Sequence, residues 1–167
     1  MRNRSSCAAA WLFAALISAA GAIPAAAMPS SAAHSTAAPT PANRALEIEV
    51  AGLRDGRGQV GCSIFSDRKA FPADDSKVLR HVWASIHGGR AVCRYPGLAA
   101  GDYAAVVYHD ENGNGKFDRN FLGMPKEGFG FSRDAPVRFS APTFDACHFL
   151  YDGRGMRIVI HIRYWPL

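Results

Sequence analysis

Apolar and polar residues alternate along several short segments after residue 44. Apolar side chains occupy every second position from Leu46 to Val50 and again from Val60 to Ile64, and the longest such run extends from Ile158 to Tyr164. A period of two is typical of a β-strand with one buried face. These three segments are therefore predicted to be strands.

Four further segments complete the predicted set. Tyr103 to Tyr108 is apolar at nearly every position, which indicates a central strand buried on both faces. The other predicted strands are Val78 to Ile86, Arg90 to Tyr95 and Ala146 to Tyr151. Only Asp74 to Leu79 is compatible with a helical turn. Seven short strands separated by turn signals predict an all-β protein, a seven-stranded antiparallel β-sandwich with one long loop.

The first 27 residues have the pattern of a secretory signal peptide. Arg2 and Arg4 precede an apolar run from Cys7 to Ile23, and Ala25 to Ala27 supply small side chains for a signal peptidase. The run is interrupted by serine and glycine and is shorter than the roughly 20 strongly apolar residues of a transmembrane span. We therefore predict cleavage after Ala27, no transmembrane anchor after processing, and a periplasmic or secreted protein.

Composition divides the remainder of the chain into two parts. Residues 28–43 consist mainly of Ala, Pro, Ser and Thr, which predicts a flexible tether, and residues 44–167 are long enough for one β-sandwich domain. The 19 basic and 14 acidic residues give a net charge of +5, and removal of Arg2 and Arg4 leaves 17 − 14 = +3. Because the basic residues are scattered, the pattern argues against nucleic-acid binding and leaves open a weak attraction to anionic surfaces of the cell envelope.

Three cysteines follow the predicted signal peptide: Cys62, Cys93 and Cys147. An oxidising compartment favours at least one disulfide, and the spacing does not resemble a zinc site. Cys62 and Cys93 lie in neighbouring predicted strands, so we predict that they are bridged and that Cys147 is a buried thiol.

More than 30 residues without clean alternation separate the fifth and sixth predicted strands. A loop of this length in a compact domain is usually functional. It contains the sequence HDENGNGKFDRNFLGMPKEGFGFS from His109 to Ser132.

This segment, together with IFSDRKAFP at Ile64 to Pro72 and GLAAGDYAAVVYHD at Gly97 to Asp110, resembles the bacterial domain-of-unknown-function family 2141. The resemblance extends over Leu46 to Tyr164. It implies an exported protein with a transthyretin-like or immunoglobulin-like β-sandwich, and it implies no particular reaction.

The start of the loop has the spacing of a calcium-binding loop. Side-chain oxygens fall at positions 1, 3, 5 and 9, with Gly115 at position 6, and the corresponding residues are Asp110, Asn112, Asn114 and Asp118. Position 12, where a bidentate glutamate is expected, is Phe121. Two interpretations follow. One is a weak Ca²⁺ site completed from elsewhere by Glu111, Glu127, Asp134 or Asp145. The other is a turn whose side chains bond their own backbone.

His109 precedes Asp110, which raises the hypothesis of a small hydrolase or metal-dependent enzyme centred on this pair. No recognisable nucleophile motif and no second histidine at metal spacing accompany them. A copper site with Met124 would need a further histidine. A histidine that is hydrogen-bonded at a strand end is the alternative, and we assign no catalytic residue.

The sequence favours a non-catalytic binding or accessory protein of the cell envelope, whose partner is an envelope protein or a glycan. The predicted contact residues of the loop are His109, Phe121, Lys126, Glu127, Phe129 and Phe131. The loop phenylalanines, which include Phe117, either anchor the loop in the end of the sandwich or form an exposed apolar patch. A purely structural module is the third hypothesis.

Overall fold

The structure, a computed structural model, describes residues 44–138 and 140–165. The predicted signal peptide, residues 1–27, and the predicted tether, residues 28–43, lie outside these residues. Eight strands and one short helix form in the described part of the chain. They are β1 (Leu46–Ala51), β2 (Gln59–Phe65), β3 (Arg80–Ala84), β4 (Ala91–Tyr95), β5 (Gly101–Asp110), β6 (Gly128–Phe131), α1 (Phe144–Cys147), β7 (Phe149–Tyr151) and β8 (Met156–His161).

The strands form two sheets, so the predicted all-β fold is confirmed. One sheet has the order β4-β1-β8, and the other has the order β3-β2-β5-β6 with β7 also paired to β5. The structure has eight strands where seven are predicted. It also has one parallel pair, because Ile48 of β1 lies opposite Ile158 of β8 in parallel register. Parallel neighbours need a long crossover between them, and the intervening strands provide it.

The main core lies between the two sheets. Ile48 of β1 and Ile64 of β2 are fully buried in it, as the alternation predicts. Cys62 of β2 and Cys93 of β4 form a disulfide with their Cα atoms 6.4 Å apart, which confirms the predicted bridge and links the two sheets covalently. Cys147 is a buried free thiol, and burial raises its pKa to about 11.

A second apolar cluster covers the other face of β5. Ala105 and Val107 of β5 face the main core, whereas Ala104 contacts the second cluster. The aromatic members of that cluster are Phe65, Phe71, Phe129, Phe131 and Phe144. β5 is therefore buried on both faces, as its sequence predicts.

The largest differences from the sequence-based boundaries lie in three segments. Residues 146 and 147, predicted to begin a strand, belong to α1, because the Thr143 hydroxyl accepts the Ala146 N–H at 3.3 Å and caps a helical turn. Residues 128–131, predicted to be loop, form β6 against β5. β3 is shorter than Val78 to Ile86 and follows a 3₁₀ turn at Asp75–Lys77, within the segment compatible with a helical turn.

β6 also joins the two sheets at one edge. The backbone N–H and C=O groups of Phe129 and Arg163 exchange two hydrogen bonds of 2.9 Å. A Cβ atom on Gly130 would lie 2.7 Å from the His161 carbonyl oxygen, so the glycine permits this close approach. No helix in the described residues has the length and hydropathy to cross a membrane.

Candidate functional site

The segment from Asp110, the last residue of β5, to Glu127, just before β6, is the one that we call the 110–127 loop, and its two ends lie on neighbouring strands. His109 of β5 lies opposite Gly128 of β6. Both ends of the loop are thus held by two paired strands of the larger sheet, β5 and the edge strand β6, and the loop projects from one end of that sheet.

Asp110 holds the first turn of the loop. Its carboxylate is buried and accepts hydrogen bonds from the backbone N–H groups of Gly115 at 2.8 Å and Asn114 at 3.1 Å, and from Gln59 Nε2 at 3.0 Å. Burial alone would raise the pKa of Asp110, but the hydrogen bonds from Gln59 and the loop backbone outweigh burial and lower the pKa. The charged carboxylate therefore ties the loop to β2.

Glu127 holds the other end of the loop. It is 4% exposed, and its two oxygens accept the backbone N–H groups of Glu111 at 3.2 Å and Asp118 at 3.0 Å. Burial raises the pKa of Glu127, and the neighbouring charge of Asp118 acts in the same direction. Asp110 and Glu127 together brace the two halves of the loop against each other.

The four predicted calcium ligands lie in one turn. Asp118 Oδ2 accepts the side-chain amides of Asn112 at 2.8 Å and Asn114 at 3.0 Å. The amide oxygens of these two asparagines accept backbone N–H groups of Asn114 and Lys116 at 3.0 Å and 2.8 Å. Since each of these side chains is already bonded within the loop, the geometry fits a self-satisfied turn better than a metal centre. Calcium binding stays a prediction.

The acidic residues considered as additional ligands have other partners, as already described for Glu127. Glu111 pairs with Arg54 at 2.6 Å. Further away, Asp134 accepts from His161 and Asp145 pairs with Arg68. Within the described residues, no three His, Cys, Asp or Glu side chains are grouped so that they could hold a metal ion.

His109 is fully buried at the end of β5, and each of its ring nitrogens has a partner. Nε2 donates to the Arg57 carbonyl oxygen at 2.8 Å, and Nδ1 lies 2.7 Å from the Tyr164 hydroxyl oxygen. Asp110 bonds other groups, as described above. The structure therefore places His109 as a tie between the β1–β2 connection and the segment after β8, with Asp55 Oδ1 3.9 Å from its Nε2.

The tip of the loop is a tight turn organised by Asn120. Its side-chain oxygen accepts the backbone N–H groups of Leu122 at 2.9 Å and Met124 at 3.0 Å, and its own N–H donates to the Met124 carbonyl at 2.8 Å. The turn displays Phe121, which is 95% exposed, and Leu122, which is 70% exposed. Two large apolar side chains are thus exposed to solvent at the tip of the loop.

A family model for uncharacterised proteins conserved in bacteria, DUF2141, matches residues 48–159. The chain belongs to this family. The match includes the whole 110–127 loop and confirms the resemblance found in the sequence. Comparisons with curated proteins and with solved structures give no significant match.

In this DUF2141 protein, the predicted contact residues separate into two groups. Phe121 and Lys126 are exposed on the loop. The remaining four are buried at the base of the loop, in or next to β5 and β6: His109, Glu127, Phe129 and Phe131. The fourth loop phenylalanine, Phe117, is half-buried.

Sequence reasoning did not single out Leu122 or the exposed basic residues Lys116 and Arg119 as contact residues. The Arg119 guanidinium lies 5.0 Å from the Phe117 ring centroid and donates to the Gly123 carbonyl at 3.3 Å, so it is held beside the tip. The signal that could have located the tip is the spacing of Asn120 and Gly123, which is typical of a turn.

The structure also brings Ser63 and His81 together on the outer face of β2 and β3. The Ser63 hydroxyl lies 2.8 Å from His81 Nδ1, and burial lowers the pKa of His81. An activated serine needs a base that a third group orients. Among the described residues, no carboxylate hydrogen-bonds the other ring nitrogen of His81. This pair therefore does not amount to a nucleophilic site.

Proposed function

We propose that this DUF2141 chain is an exported, non-catalytic binding protein of the cell envelope, and that its contact surface is the tip of the 110–127 loop. The observation that carries the proposal is the 95% exposure of Phe121 on a turn whose base is braced by buried carboxylates. Adjacent exposed aromatic and aliphatic side chains on a well-supported turn form a surface for contact with a partner.

The geometry favours binding over hydrolysis at His109 and Asp110. Catalysis needs an accessible base and a concave pocket with convergent polar groups. Both side chains are buried and engaged in structural hydrogen bonds. An open groove of about 380 Å³ is lined by residues of β3, β4 and their connection, and by neither of these two.

Export is supported by two independent features. Residues 1–27 have the order of charged, apolar and small residues of a signal peptide. The Cys62–Cys93 disulfide is of a kind that persists in oxidising compartments such as the periplasm.

We predict that the exported protein begins at Met28. Intact-mass measurement of the periplasmic or secreted fraction should give the mass of residues 28–167, because signal peptidase cleaves after small side chains such as those of Ala25 and Ala27. A variant with Ala25→Leu and Ala27→Leu should accumulate unprocessed, since bulky residues do not fit the peptidase. Recovery of the full-length mass from cells making the unaltered chain, with the protein in the membrane fraction, would contradict export by cleavage.

Site-specific photo-crosslinking tests the contact surface. We expect a photoreactive phenylalanine at position 121 of the exported chain to form covalent adducts with an envelope component in living cells, because this side chain meets the partner directly. Mass spectrometry of the adduct then shows whether it is a lipid, a glycan or a protein.

The matched control is a photoreactive residue at position 150. Leu150 is also exposed, at 68%, but lies in β7 opposite Asp102. Asp102 and Asp110 are at opposite ends of β5, about 25 Å apart at the rise of a strand. Adducts at position 121 and none at position 150 would support the proposal. Equal labelling at both positions, or none at 121, would refute it.

A further inference from the structure

We propose that the partner of the loop tip is the surface of an anionic phospholipid bilayer. Phe121 and Leu122 would enter the boundary between headgroups and acyl chains, while Arg119 and Lys126 meet lipid phosphates. This inference rests on the proposed function and specifies the partner of the same surface.

The charge around the apolar tip matches an anionic surface. Residues 116–126 contain three basic residues and one acidic residue, so their net charge is 3 − 1 = +2. Lys116, Arg119 and Lys126 are all exposed, whereas Asp118 is half-buried and accepts two amide donors from within the loop. Exposed cations that flank exposed apolar side chains are the pattern of proteins that bind in a membrane interface.

Three backbone N–H groups of the tip are satisfied within the turn. The N–H groups of Leu122 and Met124 are bonded to the Asn120 side chain, and the Gly123 N–H donates to the Asn120 carbonyl at 2.9 Å. Polar backbone groups that enter a bilayer must be satisfied internally, because lipid tails offer no partners. A glycan or peptide partner would instead be recognised by free donors and acceptors. These three N–H groups are not available for that purpose.

The apolar part of the tip is small, which limits how deeply the tip can enter the bilayer. Two adjacent side chains at the end of a turn suit the shallow insertion of about 5–10 Å that is typical of interfacial proteins. Arg119 is fixed beside them by its contacts with Phe117 and Gly123. The geometry therefore points to peripheral, reversible association.

Vesicle sedimentation tests the proposal with the processed chain purified from the periplasm of expressing cells. Binding is expected to vesicles of phosphatidylcholine and phosphatidylglycerol in equal parts, and not to phosphatidylcholine alone. The double variant F121S/L122S should lower the partition coefficient by about tenfold or more, because each substitution removes buried apolar area. Leu150→Ser removes an equally accessible leucine far from the tip and should leave binding unchanged.

Charge reversal at the tip is a second test in the same vesicle-sedimentation experiment. Lys126→Glu should lower the partition coefficient by about fivefold or more, since each basic residue near an anionic membrane contributes about 1 kcal/mol. Lys69→Glu is the matched control, because it makes the same charge change far from the tip. Lys69 follows β2, whose last residue, Phe65, lies opposite Ala104 near the start of β5. If Lys126→Glu and Lys69→Glu weaken binding equally, the attraction is a general effect of net charge and the proposal is overturned.

Fluorescence quenching locates the tip in the bilayer. A tryptophan in place of Phe121 should be quenched by phospholipids brominated on their acyl chains, whereas a tryptophan in place of Leu150 should not. Trp83 and Trp165 are common to both variants and give the background. Equal quenching of the two variants would overturn the insertion of the tip.

The outcomes also separate this inference from the proposed function. If vesicles do not bind while position 121 crosslinks to a protein or glycan in cells, the lipid partner is wrong and the binding surface stands. If position 121 labels nothing in cells and vesicles do not bind, both proposals fail.

Discussion

Replacement of Asp110 by alanine should lower the free energy of unfolding by about 3–5 kcal/mol, because a buried acceptor of several charge-assisted hydrogen bonds is lost. The Gly115 and Asn114 N–H groups and the Gln59 amide would all lose their acceptor. Chemical denaturation monitored by circular dichroism measures the change. Asp102→Asn, at an exposed carboxylate of the same strand, should stay within about 0.5 kcal/mol of the unaltered protein.

The stabilisation that the Asp110 carboxylate provides should decrease at low pH. Hydrogen bonds lower the pKa of Asp110 below its ordinary value of 3.8, so its stabilisation is complete above that value and is lost as the pH falls through the lowered pKa. The Asp110→Asn variant keeps the shape of the side chain but removes its negative charge. The stability gap between the unaltered protein and this variant should therefore be constant near neutrality and should close below pH 3.8. A gap that does not change with pH would show that the charge of Asp110 is unimportant.

Calcium provides a further arm of the Asp110 experiment. A weak site would raise the melting temperature of the unaltered protein at millimolar Ca²⁺ by mass action, and Asp110→Ala would abolish the rise. The expected affinity is no better than roughly 10⁻⁴ to 10⁻³ M, since Phe121 stands where a bidentate glutamate belongs. If calorimetry and melting are both indifferent to calcium while Asp110→Ala still destabilises, the turn is stabilised by its own hydrogen bonds alone.

The strands that could be predicted from sequence are those with one clearly buried face. Leu46 to Val50 and Ile158 to Ile162 alternate because every second side chain enters the core between the sheets. The pairing of β1 with β8 could not be predicted, because the relative direction of two strands so far apart in the chain depends on every connection between them. The disulfide could be predicted, since only three cysteines follow the predicted signal peptide and two of them lie in neighbouring predicted strands.

β6 shows how local composition conceals a strand. Its sequence, GFGF, does alternate, but glycine is common in loops and lowers the expectation of a strand. The structure explains both residue types. Phe129 and Phe131 enter the second apolar cluster, and a Cβ at Gly128 or Gly130 would collide with residues of the segment from β8 to Tyr164. The glycines are therefore required by the contact between the two sheets, which only the tertiary structure reveals.

The candidate site could be located by its length and its spacing, but the roles of its residues could not. His109 and Asp110 are adjacent titratable residues and invite a catalytic interpretation. In the structure both side chains are buried and hydrogen-bonded to Arg57 and Gln59 of the β1–β2 region. Phe121 and Phe129 are the same residue type in the same segment, yet one is exposed and the other buried. The difference arises from the Asn120 turn, which directs the chain away from the sheet.

The loop tip can serve as a contact surface only if the frame beneath it is stable, and the Cys62–Cys93 bridge contributes much of that stability. The bridge closes a sequence separation of 31 residues and joins β2 of one sheet to β4 of the other. Restriction of the unfolded chain by a loop of this length is worth about 3–4 kcal/mol. Both cysteines are fully buried, so their replacement also removes packing in the centre of the core.

We therefore expect the double variant C62A/C93A to lose about 3–5 kcal/mol of unfolding free energy and roughly 10–20 °C in melting temperature. Denaturant titrations with and without dithiothreitol make the measurement specific to the bridge: the unaltered protein should lose stability when reduced, and C62A/C93A should be indifferent to the reductant. Cys147→Ala is the control, because it removes a buried thiol that closes no loop. Its response to dithiothreitol should equal that of the unaltered protein. Equal stability of the unaltered protein with and without reductant would mean that the bridge does not constrain the unfolded chain in solution.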